Sequence, residues 1–83
     1  MADMTKEAQE GYRAVAANVA GSPYLWSSNS DAAWRIGHWM AISGRTLPHD
    51  CRPSRGDTFH INGMKVKLDW DNSRSGVGIE RIA

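Results

Sequence analysis

The sequence predicts an α+β fold, in which an N-terminal two-helix hairpin packs on a C-terminal three-stranded antiparallel β-meander. Apolar residues recur at intervals of three and four up to about residue 44, and at every second position after residue 57. Pro48 and Pro53 lie where the period changes. Because 83 residues suffice for one domain, we predict a single domain, 1–83, with the hairpin at 4–44, a linker at 45–57 and the meander at 58–83.

The first helix is predicted from about Met4 to Ala20. Five residues recur at helical spacing on one apolar face: Ala8, Tyr12, Val15, Ala16 and Val19. Gly21 stands where a left-handed C-terminal cap is expected, and Pro23 cannot continue a helix. The segment is therefore predicted to be an amphipathic helix that ends before a proline turn.

The second helix is predicted from about residue 29 to Ser43. Asn29 or Ser30 can accept its first free N–H groups, and Asp31 suits the positive end of the helix dipole. Gly44 follows as a capping glycine. Two neighbouring apolar or aromatic stripes cover most of its circumference: Ala33, Gly37, Met40 and Ala41, and then Trp34, His38 and Ile42.

The meander is predicted from residues that alternate between apolar and polar. The pair Asn62-Gly63 is a strong signal for a two-residue hairpin turn. Apolar residues on either side of this turn predict the first two strands: Phe59 and Ile61, then Met64, Val66, Leu68 and Trp70. After a second turn at 71–76, Val77, Ile79 and Ile82 supply a third strand.

Composition limits the function classes. The net charge of +1 is too small to argue nucleic-acid binding by itself. Three basic against four acidic side chains precede residue 45, and seven basic against five acidic follow it. Cys51 is the single cysteine, which excludes an intrachain disulfide and fits a reducing compartment. Since no apolar run approaches about 18–20 residues, we expect a cytoplasmic protein of bacterial or mobile-element origin without a membrane segment.

Catalytic and metal chemistry find little support in the sequence. Cys51 with His38, His49 and His60 could supply four zinc ligands, but the spacing is not that of a usual metal site. No orienting third group can be named for Cys51 as a nucleophile. We therefore predict no enzyme, no metal and no cofactor.

One carboxylate pair is also explained without catalysis. Asp69 and Asp71 would share one face of a strand. Asp71, however, begins a turn in which aspartate is favoured, and Asp69 belongs to the wet face of its strand. We predict that this pair does not act in hydrolysis.

Motifs in the helical half match a known family. Gly11-Tyr12 lies in the first helix, Pro23-Tyr24 in the turn, and the second helix carries the residues Trp34, Gly37 and Ala41. This half resembles the ribosome modulation factor family, including its small plasmid- and phage-borne relatives, which has Gly-Tyr, Pro-Tyr and Trp-x-x-Gly-aromatic-x-x-Ala at these places. The resemblance covers residues 11–41.

The resemblance implies association with the small ribosomal subunit and its RNA, as in family members that promote dormant ribosome dimers. The chain departs from the family at His38, where a second Trp is usual, and in lacking a basic segment before the first helix. The meander has no counterpart in the family pattern. One plasmid-borne relative has been assigned an antibiotic-modifying activity, but this chain carries no Gly-rich phosphate loop.

The candidate contact residues are rings interleaved with basic side chains: Tyr24, Trp26, Arg35, Trp39, Arg45, Arg52, Arg55, Lys65 and Lys67. Such residues can bind RNA by pairing with phosphate and stacking on bases. Trp, Tyr and Arg also dominate protein interfaces, and a solvated strand face with buried rings is the alternative without function.

Two functions follow from these residue types. The first is a non-enzymatic protein that associates with the ribosome or ribosomal RNA. The second is a phage- or mobile-element-encoded inhibitor that binds a protein complex of the bacterial host, such as a defence complex or regulator, in the manner of an anti-CRISPR protein. A thin core and four Trp can leave an apolar patch exposed, so a homodimer is a further expectation.

Overall fold

The computed structural model of the chain describes residues 3–19, 21–55, 58–68 and 79–82. It contains two helices followed by four strands: α1 (Thr5–Ala16), α2 (Asn29–Ile42), β1 (Cys51–Pro53), β2 (Thr58–Ile61), β3 (Met64–Leu68) and β4 (Ile79–Arg81). The strands form one antiparallel sheet in the order β1-β2-β3-β4. The predicted α+β class, with helices before strands, is confirmed.

The predicted meander corresponds to β2, β3 and β4. A fourth strand, β1, lies inside the segment expected to be a linker, and its Cys51 is the Cα partner of Ile61. A three-residue strand that ends in a proline is too short to show a period of two, so no local sequence signal predicts it. Its pairing with β2 defines it as a strand. The positions of Trp70 and of the turn at 71–76 lie outside the described residues.

Helix α1 ends four residues earlier than predicted, and its cap is not Gly21. Asn18 has a positive φ of 59°. Its N–H donates to the carbonyl of Val15 at 3.2 Å, and the N–H of Val19 donates to that of Ala14 at 2.9 Å. This is the Schellman arrangement, and asparagine tolerates the left-handed position that it requires.

The buried face of α1 also differs from the predicted one. Ala8, Gly11 and Ala14 are buried, whereas Ala16 and Val19 of the predicted apolar face are exposed. Of the predicted face, Ala8 is buried and Tyr12 packs against the core, but the space between the two helices admits only small residues. The helices are therefore close together along this face.

Helix α2 begins at Asn29, so its N-cap lies one residue before the predicted cap at Asn29 or Ser30. Ser28 is its N-cap, and its Oγ accepts the N–H of Asp31 at 3.1 Å. At the other end, Gly44 has the expected positive φ of 75°, and the N–H of Arg45 donates to the carbonyl of Met40 at 2.8 Å. The predicted capping role of Gly44 is confirmed.

The two helices touch through their backbones at two glycines. A Cβ atom placed on Gly11 would lie 1.9 Å from the carbonyl oxygen of Trp34, and one on Gly37 would lie 1.8 Å from that of Ala8. Both distances are far below van der Waals contact. Glycine in a helix interior costs about 1 kcal/mol relative to alanine, and here it is what permits the close crossing.

The core lies between the helices and the inner face of the sheet. Ile36 and Met40 of α2 are buried with strand residues that alternate along the chain: Cys51, Phe59, Ile61, Val66 and Leu68. The strand residues between these buried positions point away from the helices, as a period of two requires. The sheet therefore has one dry face and one wet face.

The start of α1 covers the edge of β1. The N–H of Met4 donates to the carbonyl of Cys51 at 2.7 Å, and the N–H of Cys51 donates to Oγ1 of Thr5 at 3.2 Å. The carboxylate of Asp3 accepts the N–H of Thr5 at 3.0 Å. An edge strand with free N–H and carbonyl groups can pair with another chain, and these bonds occupy such groups on β1.

The glycine crossing predicts a large and specific loss of stability. Gly37→Ala should lower the free energy of unfolding by at least about 3 kcal/mol, because the new methyl group meets backbone that cannot move aside. The thermal midpoint should then fall by about 12–24 °C. Thermal and chemical unfolding followed by circular dichroism would measure both.

Gly21→Ala is the matched control. A Cβ atom at Gly21 would meet nothing within 4 Å, so this variant should be neutral within about 0.5 kcal/mol. Equal stability of the two variants would contradict the close crossing.

Candidate functional site

The nine predicted contact residues fall into two groups on opposite sides of the molecule. Five belong to the helical layer: Tyr24, Trp26, Arg35, Trp39 and Arg45. Four belong to the sheet and its first turn: Arg52, Arg55, Lys65 and Lys67. The core separates the helices from the wet face of the sheet, so rings and strand cations do not form the single clamp that interleaving in the sequence suggested.

Trp26 and Arg35 are joined to a buried carboxylate. The guanidinium carbon of Arg35 lies 4.8 Å from the ring centroid of Trp26, and its Nε lies 3.1 Å from both carboxylate oxygens of Asp31. Asp31 is fully buried and also accepts the N–H of Ser27 at 3.1 Å. The charge of Arg35 is thus compensated inside the chain, where it fastens the connection to α2.

Trp39 and Arg45 form a second cation–π pair. The guanidinium carbon of Arg45 lies 4.9 Å from the ring centroid of Trp39, and the hydroxyl of Tyr12 donates to the carbonyl of Arg45. Trp39 packs against the core. Among the described residues, Nε of Arg45 is buried without a hydrogen-bond partner. The pair closes the end of α2 against α1.

Tyr24 links the proline turn to the first helix. Its hydroxyl donates to the carboxylate of Glu10, and this hydrogen bond, with a smaller contribution from burial, raises the pKa of Tyr24 to about 12. The phenol therefore stays protonated over the whole physiological range. Tyr24 acts as a tie between two segments.

The wet face of the sheet carries a cross-strand row of basic residues, which we call the basic row: Arg52 on β1, His60 on β2 and Lys65 on β3. Arg52 and His60 are Cα partners, and so are His60 and Lys65. Adjacent strands lie about 4.8 Å apart, so the basic row spans about 10 Å. Arg52 and His60 are exposed, and Lys65 is partly exposed.

Two further cations extend the basic row. Lys67 is exposed and lies two residues beyond Lys65 on the same side of β3, about 7 Å along the strand. Its Cα partners are Thr58 and Glu80. Arg55 is exposed in the turn between β1 and β2. The structure thus brings the three predicted strand cations, Arg52, Lys65 and Lys67, to one face, with Arg55 in the adjoining turn, and adds His60, whose alternation with Phe59 and Ile61 was the available sequence signal.

One ion pair lies within this face. Nε of Arg52 is 3.2 Å from Oδ1 of Asp50, and the two side chains are 52% and 40% exposed. An exposed pair of this kind contributes about 0–1 kcal/mol. A phosphate group can therefore compete with Asp50 for Arg52 at little cost.

Cys51 is unsuited to nucleophilic or metal chemistry. The residue is fully buried, and burial, reinforced by the carboxylates of Asp50, Asp3 and Glu7, raises the pKa of its thiol to about 12. The thiolate is the reactive and metal-binding form, and at neutral pH this thiol stays protonated.

The histidines do not gather around Cys51. The ring of His38 stacks on Trp34 at a centroid distance of 4.9 Å, and burial, together with the charge of Arg35, lowers the pKa of His38. Within the described parts of the chain, no three His, Cys, Asp or Glu side chains are close enough together to hold a metal ion. Asp69 and Asp71 lie outside those parts.

An open groove of about 400 Å³ lies beside the end of α1. Most of its lining is apolar: Ala14, Ala17, Val19, Gly21, Pro23 and Trp34. Its charged residues are Arg13 and Glu10, and Glu10 already accepts the hydroxyl of Tyr24. Small-molecule sites combine an apolar cleft with several converging polar groups, a combination that this lining does not offer.

No family model matches the sequence, and comparison with curated proteins and with solved structures finds no similar chain. The resemblance to the ribosome modulation factor family therefore stays a prediction. None of the helices in the described residues has the length and apolar character needed to cross a membrane.

The buried pair Asp31 and Arg35 predicts a stability effect rather than a binding effect. Arg35→Met keeps the aliphatic stem but leaves a buried carboxylate without its cation, which should cost about 3 kcal/mol of unfolding free energy. Arg13→Met removes an exposed cation and should change stability by less than about 0.5 kcal/mol. Chemical denaturation of both variants measures the difference.

The thiol of Cys51 should be inert in the folded protein. At pH 8 we expect negligible reaction with a chromogenic disulfide reagent, because the thiol is buried and protonated. Full labelling should appear in concentrated guanidinium chloride, which unfolds the chain. Rapid stoichiometric labelling under native conditions would show that the burial described for Cys51 is wrong.

Proposed function

We propose that the chain is a small non-enzymatic protein that binds RNA through the wet face of its sheet. The observation that supports this proposal best is the basic row, with Lys67 beside it. These basic residues come from three adjacent strands, so hydrogen bonds between strands fix their backbone positions. Phosphate contacts by Lys and Arg supply most of the affinity of nucleic-acid binding that does not depend on sequence.

The distribution of charge agrees with this proposal. The whole chain has a net charge of only +1, so a general attraction to RNA would be weak. Seven of its ten basic residues follow residue 44, and four of those seven lie on or beside the wet face. Local arrangement, rather than net charge, therefore favours binding at this place.

The resemblance of the helical half suggests the ribosome as the source of the RNA. The proposed partner is accordingly the small ribosomal subunit, in the cytoplasm of a bacterial cell. A buried and reduced Cys51 suits that compartment. The helical hairpin would act as the scaffold, since its rings and arginines mainly hold segments of the chain together.

A second candidate function is protein binding by the helical layer, as an inhibitor of a host defence complex or regulator. Large apolar side chains are exposed there: Leu25 is 82% exposed, Ile42 68% and Trp26 48%. The open groove lies in the same layer. Exposed apolar surface of this kind is typical of contact sites, and a second copy of the chain could use it to form a homodimer.

The RNA proposal predicts that strand cations control binding. Lys65→Gln with Lys67→Gln should weaken binding to purified small ribosomal subunits, and the slope of log affinity against log salt should fall by about 1 per lysine. Arg13→Gln is the control, because it removes one exposed charge from α1 and should leave the slope unchanged. Co-sedimentation at several salt concentrations measures these effects.

A different result would favour the second candidate function. Isolation of the tagged protein from bacterial lysate, with and without RNase, would then yield a stoichiometric protein partner that nuclease treatment does not remove. Under that function the lysine variants should retain the partner, whereas Leu25→Ser should lose it.

A further inference from the structure

We infer that the nucleic acid bound at this face is a double helix, contacted along its phosphate backbone rather than through its bases. This inference rests on the proposed function and specifies the substrate class of the same site. It depends on where the aromatic rings lie, on the fixed backbone positions of the cations, and on the difference in phosphate charge between a duplex and a single strand of nucleic acid.

The rings of the described residues and the strand cations lie on different sides of the core. Phe59 and Trp34 are 3% and 4% exposed, and Tyr12 and Trp39 pack against the core. Trp26 lies under the guanidinium group of Arg35 in the helical layer. Proteins that bind single strands stack successive bases on several rings within a basic groove, and these five rings are not beside the basic row.

The described positions of the wet face carry other residue types. They are Arg52 on β1, Thr58 and His60 on β2, Lys65 and Lys67 on β3, and the position of Glu80 on β4, the Cα partner of Lys67. His60 is a single imidazole between two cations, in place of the two or three rings with which a sheet platform stacks unpaired bases. This face is therefore equipped to meet phosphate and not to hold splayed bases.

The backbone beneath the basic row is rigid. The β2–β3 turn is formed by Asn62 and Gly63, both with positive φ, as a tight two-residue hairpin requires. The side-chain oxygen of Asn62 accepts the N–H of His49 at 2.8 Å. The backbone N–H of Asn62 donates to the backbone carbonyl of Asp50 at 3.0 Å. These bonds tie the turn to the segment before β1, so the backbone positions that carry the cations keep their spacing.

Cations with fixed backbone positions suit a partner whose phosphates are also fixed in place. A duplex already holds its phosphates in place and carries two charged backbones, so binding orders little and releases many counterions. A flexible single strand must be ordered on binding, at a cost that stacking usually offsets. Among the described residues no ring lies beside the cations, so that compensation is small and the duplex is the better ligand.

The test compares three probes with the intact protein by fluorescence anisotropy. They are an RNA duplex of about 16 base pairs, a span that one small domain can cover, one of its strands alone, and a DNA duplex of the same sequence. At about 50 mM salt, where phosphate contacts are strong, we expect the RNA duplex to bind at least about tenfold more tightly than the single strand. Competition with a duplex of different sequence should be equally effective.

Variants identify the face that binds. With three to four phosphate contacts, the log–log salt slope for a duplex should be about −3 to −4, and Lys65→Gln should reduce its magnitude by about 0.9. Arg52→Gln should do the same. Arg13→Gln should have no effect, and unchanged circular dichroism would show that every variant is folded.

The possible outcomes distinguish failure of the duplex inference from failure of the proposed function. Equal or tighter binding of the single strand would overturn the duplex inference and leave RNA binding in place. Equal binding of DNA and RNA duplexes would support the duplex inference and overturn the choice of RNA. If no probe bound with a dependence on salt and on Lys65, both would be overturned.

Discussion

The close crossing of α1 and α2 is the constraint on which the rest of the structure depends. Gly11 and Gly37 each lie against the backbone of the opposite helix, so the two helices act as one thin layer. Ile36 and Met40 are then free to face the sheet, where they complete the core. An 83-residue chain has little apolar area to bury. The close packing of the two helices allows a single pair of them to cover a four-stranded sheet.

The crossing also bears on the resemblance to the ribosome modulation factor family. Gly11, Trp34 and Gly37 carry much of that resemblance, and all three lie at the helix crossing. These residues describe how two helices pack, so matching them transfers a packing arrangement before it transfers an activity. The proposed RNA contact depends instead on strand residues that the family pattern does not cover.

Sequence periodicity predicted the elements with many regularly spaced residues, and it failed where single long-range contacts decide. The two helices and the Asn62-Gly63 hairpin followed from spacing and turn chemistry. The strand at Cys51–Pro53 exists because β2 pairs with it, and no local pattern records that pairing. Likewise, a charged residue in a first turn suggests a dipole effect, whereas Asp31 is buried against Arg35. The sequence identified the candidate contact residues by their type. Only the fold shows that they divide between the helical layer and the sheet.

The hydrogen bonds from the start of α1 to β1 protect one edge of the sheet. With Met4 and Thr5 bound to Cys51, another chain could add a strand on that side only by displacing the start of α1. Growth by strand addition needs two available sides to continue indefinitely. Open-ended assembly of folded monomers through the sheet would therefore first have to break the hydrogen bonds that the first turn of α1 makes to β1.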